Sequence, residues 1–237
     1  MVKPERFENR MQAGSLLVPR LAVYAGRSDV VVLALPRGGV PVGFAVARQL
    51  DAPLDLIIVR KLGMPGQPEV AIGAIASGGL CVLRPDIMNV VGVPMEVINA
   101  IAERESQELT RRETLYRAGR PTLSLQDKTV ILIDDGIATG ATMLAAVYVA
   151  REANPARIIV AVPVAPVDTI SMLQAEVDEL VCLNTPDPFH AVGAWYERFQ
   201  QVSDDEVTSL LERADRADGR NLAAQVPGPR RAPDRRH

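Results

Sequence analysis

The stretch Val130-Ile131-Leu132-Ile133-Asp134-Asp135-Gly136-Ile137-Ala138-Thr139-Gly140-Ala141-Thr142-Met143 constrains this chain more than any other. Its continuous apolar start suits a strand buried on both faces of a parallel sheet. Two adjacent carboxylates follow, then a turn rich in Gly and Thr, then an apolar helical pattern at Met143, Leu144, Val147 and Tyr148. Such a strand–loop–helix unit sets the loop at the carboxyl end of the strand and the amino end of the helix, where open α/β sheets hold their ligands. Free backbone N–H groups there, together with the helix dipole, favour a phosphate. Two carboxylates beside that cradle repel the phosphate itself. They make sense when the ligand also carries hydroxyl donors or a metal ion, as a sugar phosphate does. The plain alternative is an acidic strand end and an ordinary helix start capped by Thr139 or Thr142. It suits a lone Asp-Asp pair better than it suits the whole string.

A second unit of the same kind lies upstream. Val30 to Leu35 reads as a buried strand and ends in Pro36-Arg37-Gly38-Gly39-Val40-Pro41-Val42-Gly43, after which Phe44, Ala45, Val46 and Leu50 continue as a helix. The glycines let backbone approach a ligand closely, and Arg37 adds a fixed charge with a planar fork of donors. A tight turn with Arg37 in solvent fits this stretch equally well. Leu54 to Val59 is another buried strand, leading directly into Arg60-Lys61-Leu62-Gly63-Met64-Pro65-Gly66-Gln67-Pro68-Glu69. Two cations at a strand end before a Gly/Pro-rich loop describe a positively charged lid, or else a surface loop with a solvated basic pair.

The remaining chain supplies scaffold. Val70 to Ala76 and Leu80 to Leu83 flank Ser77-Gly78-Gly79, a hairpin signal. Pro94 to Arg117 reads as a long amphipathic helix, with Val97, Ile98, Ile101, Leu109 and Leu115 on or near one face. Glu108–Arg112 and Glu113–Arg117 form i,i+4 pairs, and the charges from Glu103 to Glu113 read first as a solvated face, with a Glu reaching towards the site or a dimer contact as alternatives the sequence does not choose between. Arg157 to Val162 is a further strand, followed by Pro163-Val164-Ala165-Pro166 and a helix from Val167 to Ala175; Glu179 to Leu183 is the last core strand. Ser203 and Glu206 open a short helix as a capping box. Phe7 to Ala25 reads as a helix kinked at Pro19, or two short ones, and receives no chemical role. The tail from Asp218 has no periodicity and reads as disordered.

Composition narrows the function classes. A net charge of −3 and 4% aromatic residues argue against a nucleic-acid partner. Cys81 and Cys182 sit in separate apolar runs and read as two buried thiols in a reduced compartment, not as a disulfide or zinc framework. With His190 and the terminal His237 as the two histidines and no G-x-S-x-G elbow, a Ser-His-Asp hydrolase is disfavoured. No signal peptide and no membrane-length apolar run are evident, so a cytoplasmic protein is expected.

The central string resembles the ribose-phosphate loop of the phosphoribosyltransferases: hydrophobic strand, acidic pair, then a short Thr-Gly-x-Thr phosphate loop. The resemblance covers most of residues 28–183. It implies a doubly wound, mainly parallel α/β sheet in a single domain over residues 1–217, with a hairpin-and-helix excursion at about 70–118 and a C-terminal hood at about 184–200. Asp134 and Asp135 would face the ribose hydroxyls of phosphoribosyl pyrophosphate, and Ala138, Thr139, Gly140, Ala141 and Thr142 would hold its 5′-phosphate. Arg37, Gly38 and Gly39 resemble the family's pyrophosphate loop. Arg60 and Lys61 resemble its flexible catalytic loop, with Asp135 as a further catalytic candidate. Mg²⁺ would enter with the donor, with Asp134 and Asp135 as its candidate protein contacts. The loop after the fourth core strand usually touches the base in this family, which makes Val164 and Ala165 acceptor candidates. Phe189 and Trp195 of the hood join them as base-stacking residues or, equally, as packing that fastens the hood.

The implied reaction displaces pyrophosphate by a nitrogen nucleophile, and a homodimer is usual in the family. Hypoxanthine-guanine enzymes carry an Asp where this chain has Ala138, which counts against that acceptor class. Ile137-Ala138-Thr139-Gly140 looks closer to the adenine and uracil enzymes, while the surrounding loops match neither. The alternative is a non-catalytic sensor of phosphoribosyl pyrophosphate or a nucleotide on the same fold. The basic lid favours an enzyme.

Overall fold

Five apolar runs become the strands of one parallel sheet: β1 (Val30–Ala34), β2 (Leu54–Leu56), β6 (Thr129–Ile133), β7 (Arg157–Val164) and β8 (Glu179–Asn184), in the order β2-β1-β6-β7-β8. The computed structural model describes residues 6–76, 80–83, 94–117, 120 and 122–217. β1, β2 and β6 are buried at every residue, as strands covered on both faces must be. The chain's direction along the sheet reverses between β1 and β6, the switch point at which such sheets open a crevice beyond their carboxyl ends.

Helices cover both faces. One core packs Leu17, Leu50, Ile131, Ile159 and Leu211 together, joining the sheet to α1 (Arg10–Leu17), α2 (Gly39–Leu50) and α6 (Asp204–Ala217). The other joins Leu132 and Val160 to Met143 and Val147 of α4 (Ala141–Glu152) and Leu173 of α5 (Val167–Gln174). The expected N-terminal kink is real: α1 gives way to two 3₁₀ turns, Val18–Arg20 and Ala22–Tyr24, with Pro19 in the first. Ser203 Oγ accepts the Glu206 N–H at 3.1 Å, capping α6.

The antiparallel hairpin expected from Val70 is present, but the stretch before it, 60–69, expected to be a loop, is strand apart from a tight turn and makes this a three-stranded sheet. β3 (Val59–Met64) pairs with β4 (Gln67–Ala76), which pairs with β5 (Cys81–Leu83). Arg60 and Lys61 therefore sit on a strand, and the turn follows at Pro65-Gly66. The excursion begins with β3, earlier than expected. Leu62 and Ile72 pack with Ile98, Leu109 and Tyr116 of α3 (Met95–Arg117), while Val59, Ala74 and Ala76 pack with the residues of α4. Val97 and Leu115, expected on the apolar face of α3, are exposed, and Tyr116 takes the buried place instead. Cys81 is exposed, against the expectation of a buried thiol. The turn expected at Ser77-Gly78-Gly79 and the tail expected to be disordered from Asp218 lie outside the described residues. No helix among the described residues is long and apolar enough to cross a membrane.

Asp55 fastens the excursion to the sheet. Its carboxylate, 5% exposed, accepts the N–H of Leu123 at 3.1 Å and lies 3.3 Å from the guanidinium of Arg117 at the end of α3. Removing one partner of a buried pair strands the other. Asp55→Ala is expected to lose about 3 kcal/mol or more in urea-unfolding experiments.

Candidate functional site

The site is built where β1 and β6 end side by side. Their register pairs Ala34 with Ile133, so the two following loops leave the sheet together, and the Leu35 N–H donates to the Ile133 carbonyl at 2.9 Å. The first loop closes in one turn: the Pro36–Arg37 peptide is cis, and the Gly39 N–H returns to the Leu35 carbonyl at 3.0 Å, opening α2. This loop lies directly on the acidic pair. A Cβ on Gly38 would sit 2.1 Å from Asp135 Oδ2, and one on Gly39 would sit 2.6 Å from the Ile133 carbonyl and 2.9 Å from Asp134 Cα. Contact this close leaves room for a hydrogen and no more, which explains the glycine pair on steric grounds.

The second loop carries the cradle expected for a phosphate. Gly140 is the N-cap of α4 at φ 79°, a left-handed conformation that favours glycine, and it offers no side chain to the helix start. The first-turn N–H groups of α4 thus face outward beside exposed Ala138, Thr139 and Thr142. Two contacts hold the loop from behind. The Ile137 N–H donates to the Val164 carbonyl at 2.9 Å, and Thr169 Oγ1 of α5 donates to the Ala138 carbonyl at 2.7 Å. Thr169 went unassigned in the sequence, since nothing local in an ordinary helix start reveals a partner thirty-one positions upstream.

The acidic pair is electrostatically loaded. The Asp135 N–H donates to Asp134 Oδ1 at 2.8 Å. Burial and the neighbouring Asp135 charge push the Asp134 carboxyl well above the usual carboxylate range. Burial also raises Asp135, opposed by Arg10, whose Nε donates to Asp135 Oδ2 at 2.7 Å. Sequence pattern assigned the Arg10 segment no chemical role, and the structure places this residue against the centre of the site.

Cations gather on the other side of the first loop. Pro36, Arg60, Lys61, Glu105, Arg112 and Thr142 line a groove of about 400 Å³ that runs from the start of α4 to α3. Arg60 Nε donates to Glu105 at 2.6 Å, and Arg112 Nε donates to Glu108 at 2.8 Å. Part of the charged face of α3, read first as solvated, therefore lines the groove through Glu105 and Arg112. Arg37 points towards α6, where Asp204 lies 3.6 Å away and also accepts the Tyr116 hydroxyl at 2.5 Å. Burial and that hydrogen bond push the Tyr116 phenol up to about 12.

The acceptor candidates have a different fate. Val164 is fully buried and packs with Phe7, Ala13 and Tyr196, with Phe189, Val192 and Trp195 set against them. Its side chain presents no surface in this conformation, because Val192 lies over it and against Gly136. Ala165 is likewise buried, whereas Phe189 and Trp195 are half-buried against this cluster and keep some exposed surface. His190 is exposed.

The contacts at Gly39 are with backbone, which cannot swing aside as a flexible side-chain end can. Gly39→Ala is expected to destabilise the protein by about 1–3 kcal/mol in thermal or denaturant unfolding, with the strain concentrated at the end of β6.

Comparison with known proteins agrees with this architecture. Residues 15–198 match the family model of the phosphoribosyl transferase domain. Over 210 residues the chain is 46% identical to two Mycobacterium tuberculosis proteins provisionally named as phosphoribosyl transferases, MT0597 of strain CDC 1551 / Oshkosh and Rv0571c of strain H37Rv. That alignment covers 89% of this chain and 47% of theirs, so the chain spans about half the length of these curated relatives. Among solved structures, TT1426 from Thermus thermophilus superposes with a TM-score of 0.82 at 42% identity, covering 88% of this chain and 98% of that one. A family match that runs from α1 into the hood shows that this chain belongs to the phosphoribosyl transferase domain family.

Proposed function

We propose that this protein is a phosphoribosyltransferase that takes phosphoribosyl pyrophosphate as donor and transfers ribose 5-phosphate to a nitrogen nucleophile, a nucleobase in the simplest case. The observation that carries the reading is the order of chemistries along the switch-point crevice. An open helix N-terminus at residues 138–142 lies next to a carboxylate pair, which abuts a glycine loop, with a cationic groove alongside. A donor with a phosphate at one end, a diol in the middle and a pyrophosphate at the other matches that order.

In this reading the N–H groups of Ala138 to Thr142 hold the 5′-phosphate through dipole and hydrogen bonds. At least one carboxylate of the acidic pair accepts hydrogen bonds from the ribose hydroxyls. Gly38 and Gly39 let the pyrophosphate approach the backbone, and Arg37, Arg60 and Lys61 neutralise it. During transfer the bond from C1 to the pyrophosphate oxygen breaks, the electron pair leaving with pyrophosphate, and a bond from C1 to the acceptor nitrogen forms as that nitrogen's proton passes to water or to the departing pyrophosphate. Charge building on the departing oxygens is what fixed cations stabilise best in a site that excludes water.

The residues present also fit Mg²⁺. Its preferred ligands are oxygens, mostly substrate phosphates and water with one or two carboxylates. The half-buried Asp134, raised by burial and by its neighbour's charge, gains from a cation nearby. An ion brought in by the donor would be touched by Asp134, with Asp135 beside it. When bound, it neutralises pyrophosphate charge.

Isothermal titration with phosphoribosyl pyrophosphate and Mg²⁺ tests the donor assignment. The wild type is expected to show saturable binding that falls at least about tenfold in Asp134→Asn, the loss of one charge-assisted contact costing roughly 1.5–3 kcal/mol. Equal binding by the folded variant would remove Asp134 from the site, and no binding by the wild type would refute the donor.

A further inference from the structure

The two carboxylates of the acidic pair do not stand in equivalent surroundings. Asp135 is engaged on every side. Arg10 Nε reaches its Oδ2 at 2.7 Å from α1, with the two side chains 11% and 13% exposed. Arg10 Nη1 donates at 2.7 Å to the Gln200 carbonyl, and the guanidinium carbon lies 3.8 Å from the centre of the Phe199 ring. The main chain of Asp135 is held as well, since the Tyr196 hydroxyl donates to its carbonyl at 2.5 Å. The same Oδ2 that Arg10 grips lies against Gly38 of the first loop. Asp134 is less buried than Asp135; its Oδ1 is oriented by the Asp135 N–H and lies 3.2 Å from where a Cβ on Gly39 would sit, so the glycine loop touches both carboxylates and it is the grip of Arg10 that sets Asp135 apart.

We propose that Arg10 is a positioning residue: it holds Asp135 as the tie between α1, the hood and the glycine loop, and so leaves Asp134 as the carboxylate that meets the donor's ribose. The assignment deepens the donor reading given above and rests on it. The fork of the guanidinium matters to this role. One arm takes Asp135 and another takes Gln200, two divergent acceptors that a single ammonium group cannot serve in the same geometry. If Arg10 merely fastened α1 to the hood, its loss would lower stability without a specific effect on donor binding, and its effect would add to that of Asp135.

The experiment is a double-mutant cycle on the full chain, with phosphoribosyl pyrophosphate and Mg²⁺ titrated into wild type, Arg10→Met, Asp135→Asn, the double variant and Arg10→Lys, and unfolding followed in parallel. Arg10→Met and Asp135→Asn are each expected to weaken binding on the order of 10–100-fold, as removal of an orienting partner does at comparable sites. The double variant should bind no more weakly than the worse single one, and Arg10→Lys should fall between wild type and Arg10→Met. Wild-type affinity in a folded Arg10→Met, or additive losses in the double variant, would overturn the assignment while leaving the donor reading standing. If Arg10→Met does not fold, Arg10→Lys carries the test, and wild-type affinity there overturns the proposal. Absence of binding by the wild type would remove the donor reading and this assignment together.

Discussion

Everything in this site depends on how closely the glycine loop after β1 lies on the acidic end of β6. The register of the two strands delivers both loops at one level, and the absent side chains of Gly38 and Gly39 let them touch. From that contact the rest of the arrangement follows. The glycine loop is set beside Asp134 and Asp135, the helix that opens at Gly140 faces the same crevice, and the antiparallel sheet rests on that helix with its cations towards the groove. A wider spacing would separate the carboxylates from the glycine loop and break up a ligand site that no single element forms.

The resting electrostatics are those of a site with its own counter-ions. Arg10 is paired with Asp135, Arg37 lies near Asp204, and Arg60 is paired with Glu105. A polyanion entering the groove competes with Glu105 and Asp204, which are partly exposed and so hold their partners weakly. It does not compete with the largely buried Arg10–Asp135 pair. The cations that would meet a ligand are thus the ones whose partners are easiest to displace, and the cation that shapes the site is the one most firmly held.

Much of this was legible in the sequence. The unbroken apolar runs of β1, β6 and β7 announced a sheet covered on both faces, and the Gly-rich stretches after the first two announced loops of special backbone. The hairpin arm was read one strand too late, because Arg60 and Lys61 interrupt the apolar pattern of β3 while Leu62 alone among its early residues is fully buried. Arg10 and Thr169 left no local trace, whereas the Glu108–Arg112 pair read from spacing is present. The partners of Arg10 and Thr169 lie far along the chain, and a helix pattern shows only which face is apolar, not which polar residue another element will claim. Val164 lies under the hood, packed with Val192, a relation that spacing does not reveal.

A crevice that transfers a phosphoribosyl group differs from one that only binds it in a single observable, the release of pyrophosphate. Phosphorus NMR of the protein with phosphoribosyl pyrophosphate, Mg²⁺ and a panel of nucleobases follows that release. A transferase gives a pyrophosphate signal that grows with at least one acceptor, at the expense of the donor and together with an N-ribosyl monophosphate. A donor signal that shifts on binding yet persists unchanged with every acceptor would rule out transfer to these bases, and would leave a protein that recognises the donor without using it.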